Sequence, residues 1–156
     1  MPHIHKDIDF TSEVFIVYKN KVLLRKHDKF KEWLSVGGHI ELTEDPNEAA
    51  IREVREEVGL EITLDDSQKP QRGEDNTTDL IPPYFLNRHK IDNIHSHVTF
   101  VYFAVSNTDQ ISETIEREKS EDCRWFTREE LVANNEIKAS VKFYALKALK
   151  KLSKPL

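Results

Sequence analysis

The sequence is poor in cysteine, glycine and long apolar runs. Cys123 is the only cysteine among 156 residues, while glycine occurs four times and proline six times. A single cysteine excludes an internal disulfide and any metal site built from several cysteines. The longest apolar run, Val98 to Val105, is far shorter than the roughly 20 residues of a membrane-spanning helix. The sequence therefore predicts a globular protein with no membrane partner.

Positive charge is also in deficit, because Lys and Arg number 23 against 28 for Asp and Glu, a net charge of −5. This balance does not favour a nucleic-acid partner. The length suits one domain, residues 1–156, which can bury roughly 70% of its unfolded surface. No cationic leader followed by an apolar stretch opens the chain, so we expect a cytoplasmic location. A homodimer is compatible with these properties.

Apolar and β-branched runs alternate with helical patterns along the chain. Strands are predicted at Val14–Tyr18, Val22–Arg25, Leu60–Leu64, Val98–Val105 and Cys123–Phe126. The polar, proline-containing segment Asp65–Arg88 predicts a long loop. A capping box at Thr127 and Glu130 predicts a short helix, and a last helix is predicted at about Lys138–Leu152. This interleaving predicts an α/β or α+β fold, a sandwich around a mixed sheet.

The strongest local signal is a helix that begins after Asp45. Asp45 is a favoured N-cap residue, Pro46 suits the first helical position, and Glu48 completes a capping box. Gly59 then ends the helix, at a position that favours a left-handed backbone conformation. At about 100° per residue, one stripe of the helix is apolar: Ala50, Ile51, Val54 and Val58.

The opposite side of this helix carries three glutamates. Glu53, Glu56 and Glu57 fall within about one turn, and Arg52 lies beside them. An ordinary solvated acidic face would also explain the pattern, but like charges at i,i+4 cost about a few tenths of a kcal/mol unless something compensates. Glu44 lies just upstream, and clustered carboxylate oxygens are what Mg²⁺ requires. The apolar stripe and the caps do not involve the three glutamates, so we expect glutamine variants at these positions to fold.

The same residues stand in a longer pattern that starts at Gly38. Five residues separate Gly38 from Glu44, and seven separate Glu44 from the run Arg52-Glu53-Val54-Arg55-Glu56-Glu57-Val58-Gly59-Leu60. The pattern resembles the complete Nudix box, with every defined position of its 23 residues matched. The order of the flanking elements, with Trp125-Phe126 ahead of Thr127, is also similar to that family.

The resemblance implies the α/β/α sandwich of Nudix hydrolases, with the box as a loop-helix-loop. It implies Mg²⁺, with Mn²⁺ as a substitute, bound by Glu53, Glu56, Glu57 and a backbone carbonyl near Gly38. Arg52 would orient the carboxylates, and Glu44 would support them. The implied reaction is hydrolysis of a diphosphate linkage in a nucleoside di- or triphosphate, or a nucleoside diphosphate derivative, by a metal-activated water. Glu53 is the first candidate for the base that deprotonates this water.

Three residues outside the box are candidates for contact with the substrate. Arg25, at the end of the second strand, either meets phosphate or is solvated. Trp33 either stacks on a base or packs in the core or at its rim. Glu118 lies in a later loop with Glu116 and Glu121, and in this family the base sometimes comes from such a loop.

Three histidines also stand out. His39 lies inside the box, and His95 and His97 share one face of a predicted strand. A zinc site needs more ligands in a defined geometry. Positions on a polar surface or along a pocket are therefore favoured for the His95–His97 pair.

Two other functions stay open at this point. A non-catalytic nucleotide-binding module is disfavoured because the box is intact. An enzyme similar to isoprenoid diphosphate isomerases is disfavoured because Cys123 lies near the last strand instead of in an early loop. Val36 stands where many Nudix proteins carry proline, which affects substrate contacts and leaves the metal site unchanged. The segment Gly73–Thr77 holds neither the proline nor the tyrosine that mark two Nudix subfamilies, so no particular substrate is predicted.

Overall fold

A mixed sheet with helices on both faces forms the centre of the computed structural model, which describes residues 4–73, 75–112 and 122–154. In chain order the elements are β1 (Ile8–Tyr18), β2 (Lys21–Lys26), β3 (Trp33–Leu34), β4 (Val36–His39), α1 (Pro46–Val58), β5 (Ile62–Leu64), β6 (Phe85–Lys90), β7 (Ser96–Ser106), β8 (Asp122–Thr127), α2 (Arg128–Ala133) and α3 (Ala139–Leu152). Within the described ranges, no helix has the length and apolar character needed to cross a bilayer.

The two longest strands, β1 and β7, lie side by side and organise the sheet. They pair in parallel from Ile8 opposite Ser96 to Val17 opposite Val105. The other edge of β1 pairs antiparallel with β2 near its end and with β4 near its beginning. The other edge of β7 pairs with β5 and β6, while β8 joins β2. The strand order is β3-β2-β1-β7-β5, with β4, β6 and β8 paired beside this path.

Alternation of side chains along the strands divides the core into two layers. On one face, α1 packs on a buried cluster that includes Val14, Ile16, Leu23, Val54, Val58 and Tyr102. On the other face, α2 and α3 pack on a cluster that includes Phe15, Val22, Phe103, Leu131, Val141 and Ala145. The predicted α/β/α sandwich around a mixed sheet is confirmed.

Most local predictions are confirmed, but β1 begins six residues before the predicted Val14, and β4 and β6 were not predicted as strands. Both sides of the Asp45–Glu48 capping box are present in α1, and Gly59 ends the helix at φ 68°. The second capping box is likewise present at the start of α2. The predicted loop from Asp65 to Arg88 is wrong at its end, because β6 begins at Phe85. The side chains of β6 are half-buried or exposed, so this strand has no apolar run to reveal it.

Candidate active site

The acidic side of α1 packs against the glycine pair of β4. Glu53 is only 1% exposed and Glu57 only 7%, so the solvated-face interpretation is wrong for both residues. A side chain on Gly38 would collide with the Glu53 carboxylate, and one on Gly37 would collide with backbone atoms of Ser12 and Glu13. The two glycines therefore allow the helix and its carboxylates to approach the sheet closely.

Arg52 holds the acidic residues together at the centre of this site. Its Nε and Nη2 donate to the two oxygens of Glu44 at 2.9 and 2.6 Å. Its Nη1 donates to Glu53 at 2.9 Å and to Glu56 at 3.1 Å, and Nη2 also donates to the carbonyl oxygen of His39 at 3.0 Å. These hydrogen bonds from Arg52 hold the pKa of Glu44 below its ordinary value. One guanidinium thus offsets repulsion among three neighbouring carboxylates.

Glu57, the last glutamate of the helix, has a different partner. The Glu57 carboxylate lies 2.5 Å from Nη1 of Arg25, and both side chains are buried. The backbone N–H of Gly37 donates to the same Glu57 oxygen at 3.4 Å. Arg25 is therefore not solvated, and its contact with phosphate stays a prediction.

Trp33, another substrate candidate, lies in the core. Trp33 is 5% exposed and packs edge-on against Phe126, with ring centroids 5.1 Å apart, in the core role that the sequence left open. Its stacking on a base stays a prediction. Glu118, with Glu116 and Glu121, lies outside the described residues.

The acidic cluster suits a hard divalent cation. Glu53, Glu56 and Glu57 offer carboxylate oxygens, the donor type that Mg²⁺ takes from proteins. Each carboxylate has about four lone-pair positions, so the hydrogen bonds from Arg52 and Arg25 occupy only part of their capacity. Gly38 lies directly against Glu53. The residues present therefore fit the ion that the resemblance implies.

Two acids on the opposite face of the sheet, Asp9 and Glu13, were not identified as site candidates from the sequence. Asp9 is fully buried, and Glu13 accepts a hydrogen bond from the Ser35 hydroxyl. Burial raises the pKa of Glu13 above its ordinary value. The alternation of side chains along a strand could have indicated these two acids. Asp9 and Glu13 lie an even number of residues from Phe15, a core residue, so they share its face of the strand.

The histidines also lie on that face. His95 is 3% exposed, so a surface position is wrong for it. Burial, with a smaller contribution from neighbouring histidines, lowers the pKa of His97 to about 4. The side chain of His39 contacts this group, while its backbone carbonyl contacts Arg52.

Comparison with known proteins assigns the family. The NUDIX domain model matches residues 12–147. This range contains the whole acidic motif, all of strands β2 to β8, and most of β1 and α3. The chain therefore belongs to the Nudix hydrolase family.

Individual relatives agree with this assignment. A Nudix-family hydrolase of known crystal structure from Clostridium perfringens is 37% identical, with a TM-score of 0.81 over 93% of this chain and 98% of that chain. A probable DHNTP pyrophosphohydrolase from Lactococcus lactis subsp. cremoris is 30% identical over 99 residues, which are 64% of this chain and 55% of that protein. The matched part thus spans about half the length of the Lactococcus protein. The MutT Nudix hydrolase of Burkholderia pseudomallei, at 20% identity and a TM-score of 0.64, shares the fold.

Proposed function

We propose that this protein hydrolyses a diphosphate linkage in a nucleoside di- or triphosphate, or in a nucleoside diphosphate derivative, with Mg²⁺ as its cofactor. The observation that carries the proposal is the convergence of Glu44, Glu53 and Glu56 on one arginine beside Gly38. Such a concentration of carboxylates attracts a divalent cation, and a cation there is placed to meet a phosphate chain.

In this proposal, Glu53, Glu56, Glu57 and the backbone near Gly38 hold the ion. Mg²⁺ bound there supplies a Lewis acid for phosphate oxygens and an acidified water as nucleophile. Arg52 keeps the carboxylates in position through its hydrogen bonds, and Glu44 fixes the guanidinium by two contacts. Glu53 accepts the proton of the attacking water, since its carboxylate is the most buried of the set and lies nearest the glycine backbone.

The first prediction concerns turnover by a Glu53→Gln variant. At saturating Mg²⁺ we expect kcat to fall by about 10²–10⁴-fold, the usual effect of losing a general base. The matched control is Glu61→Gln, because Glu61 is exposed, lies just after the box and pairs with Arg55. The control should keep the wild-type kcat. Wild-type turnover by Glu53→Gln would contradict the role given to this residue.

A Glu118→Gln variant tests the rival position of the base. If Glu118→Gln is inactive while Glu53→Gln keeps near-normal turnover, the base comes from the later loop and the assignment to Glu53 is wrong. If both variants keep full activity, the proposed mechanism fails. The Mg²⁺ concentration must be saturating for every variant, since weaker metal binding alone lowers turnover.

The substrate panel follows from the proposed chemistry. It contains nucleoside di- and triphosphates, nucleotide sugars, ADP-ribose and, because of the name of the Lactococcus relative, DHNTP. The expected result depends on Mg²⁺: release of phosphate or pyrophosphate from the di- and triphosphates, or of a nucleoside monophosphate and a sugar phosphate from the nucleotide sugars and ADP-ribose. A protein that binds these compounds and releases nothing from any of them would be a binding module instead of an enzyme.

A further inference from the structure

The register of the sheet gathers a second group of metal-binding side chains on the face opposite α1. Asp9 of β1 lies directly opposite His97 of β7, and Thr11 lies opposite His39 of β4. Because alternate residues of a strand share a face, the side chains of Asp9, His97 and His39 point to the same side of the sheet. His95 joins them from the residue before β7. We call Asp9, His39, His95 and His97 the histidine cluster.

The atoms of the histidine cluster have the spacing of a coordination shell. Nε2 of His39 lies 3.2 Å from Oδ2 of Asp9, and Nε2 of His95 lies 3.3 Å from the same oxygen. Zinc–ligand bonds of about 2.0–2.1 Å place the corners of a tetrahedron about 3.3 Å apart. One ligand atom each from Asp9, His95 and His97 lies within 4.8 Å of the other two. Two of these three atoms at that upper limit would have to approach each other by about 1.5 Å to share one zinc ion.

The hydrogen bonds around His95 and Asp9 orient the two side chains for this purpose. Nδ1 of His95 lies 2.9 Å from the carbonyl oxygen of Lys6, which can only accept, so Nδ1 carries the proton. In the neutral tautomer the lone pair of His95 is then on Nε2, the nitrogen that faces Asp9 and is positioned to coordinate an ion. A carbonyl partner on the second ring nitrogen is the arrangement found at metal-binding histidines. The other Asp9 oxygen accepts the backbone N–H of His5 at 2.7 Å.

We infer that the histidine cluster binds a zinc ion at a site separate from the oxygen ligands of α1. Three imidazoles and one carboxylate form a nitrogen-rich set that favours zinc over Mg²⁺. Asp9, His95 and His97 supply three corners of a tetrahedron, and His39, 3.2 Å from the Asp9 carboxylate, is the candidate for the fourth. A cavity of about 310 Å³, lined by Ile4, His5 and Asp9 among others, borders the cluster at Asp9. Bound zinc ties β1 to β4 and β7.

Zinc binding to the full chain tests this inference. The protein is stripped with a chelator and titrated with Zn²⁺ in excess Mg²⁺, which occupies hard oxygen sites. We expect one equivalent to bind wild type, and a His95→Ala variant to bind at least about 100-fold more weakly, since even outer-shell changes cost about 10–100-fold. The matched control is His89→Ala. His89 lies 5.6 Å from the His97 ring but is exposed, and it should not be a ligand.

A measurement on the wild-type protein covers the case in which His95→Ala fails to fold. X-ray absorption at the zinc edge should show a four-coordinate ion with scattering from imidazole rings. A Glu53→Gln/Glu56→Gln variant should keep the zinc equivalent, because those residues belong to the other site. The inference is overturned if wild type binds no zinc in excess Mg²⁺, if His95→Ala binds as tightly as wild type, or if the shell contains oxygen alone. None of these readouts depends on catalytic activity.

Discussion

At the scale of single residues, the buried ion pair between Glu57 and Arg25 determines how much a substitution of Glu57 lowers the free energy of unfolding. Removing one partner of a buried ion pair leaves an uncompensated charge and costs about 3–5 kcal/mol. We therefore expect Glu57→Gln to lower the free energy of unfolding by about 3 kcal/mol, measured by urea denaturation without metal. The sequence predicted that glutamine variants fold, because the apolar stripe and the caps are untouched, but it did not indicate this ion pair.

Glu56→Gln is the comparison for that measurement. Glu56 stands one position earlier on the same helix, its side chain is 36% exposed, and Arg52 keeps its other carboxylate partners when Glu56 is replaced. Its substitution should change the free energy of unfolding by less than about 1 kcal/mol. Equal losses from the two variants would show that the Arg25 contact contributes no special stability.

The buried carboxyl of Glu13 makes stability depend on pH. Burial raises its folded-state pKa above 4.5, so the folded protein binds this proton more tightly than the unfolded chain does. The contribution of Glu13 to stability is therefore lost as the pH rises through the raised pKa. Glu13→Gln, which can still accept from Ser35, should melt at a higher temperature than wild type at pH 8 and show a smaller difference at pH 5. A difference that is independent of pH would contradict this account, and Glu61→Gln serves as the exposed control.

At the scale of elements, the close packing of α1 on β4 makes Gly38 a sensitive position. An alanine there places a methyl group on the Glu53 carboxylate, and a displacement of about 1 Å at a reacting group can cost about 10²-fold in rate. We expect Gly38→Ala to fold, to bind Mg²⁺ more weakly and to lose roughly that factor in kcat/KM. Gly73→Ala is the control, because a side chain at Gly73 has no atom within 4 Å. Equal kcat/KM for the two variants would show that the approach of Glu53 to β4 is not needed.

Elements whose signals are local were predicted well from the sequence. The caps of α1 depend on Asp45, Glu48 and Gly59, which lie beside the bonds that they make, so residue type and spacing are sufficient. The segment that forms β6 lacked such a signal. Its strand conformation comes from pairing with β7 along Phe85–Lys90, and a mostly exposed strand leaves little trace in hydrophobicity.

At the scale of the whole molecule, local sequence signals indicated the acidic site, whereas the histidine cluster has no such signals. The acidic site was predicted because Arg52, Glu53 and Glu56 lie within a single helix turn, and the resemblance added Gly38 and Glu44. The pairing of Glu57 with Arg25 was not predicted, since it joins α1 to the distant β2. The histidine cluster likewise depends on the register between strands that are far apart in sequence, which no local pattern specifies.

The parallel pairing of β1 with β7 also fixes when the protein can finish folding as it is made. Thr11 and its partner Thr99 are 88 residues apart, and their hydroxyls are in hydrogen-bond contact. At about 5–20 residues per second, a ribosome needs about 4–18 s to cross that interval. During this time β2 and β4 can pair with one edge of β1, but the other edge, from Ile8 to Val17, must wait for β7. The residues of the acidic site are therefore synthesised well before the sheet is complete, whereas the histidine cluster cannot form until His95 and His97 have been added.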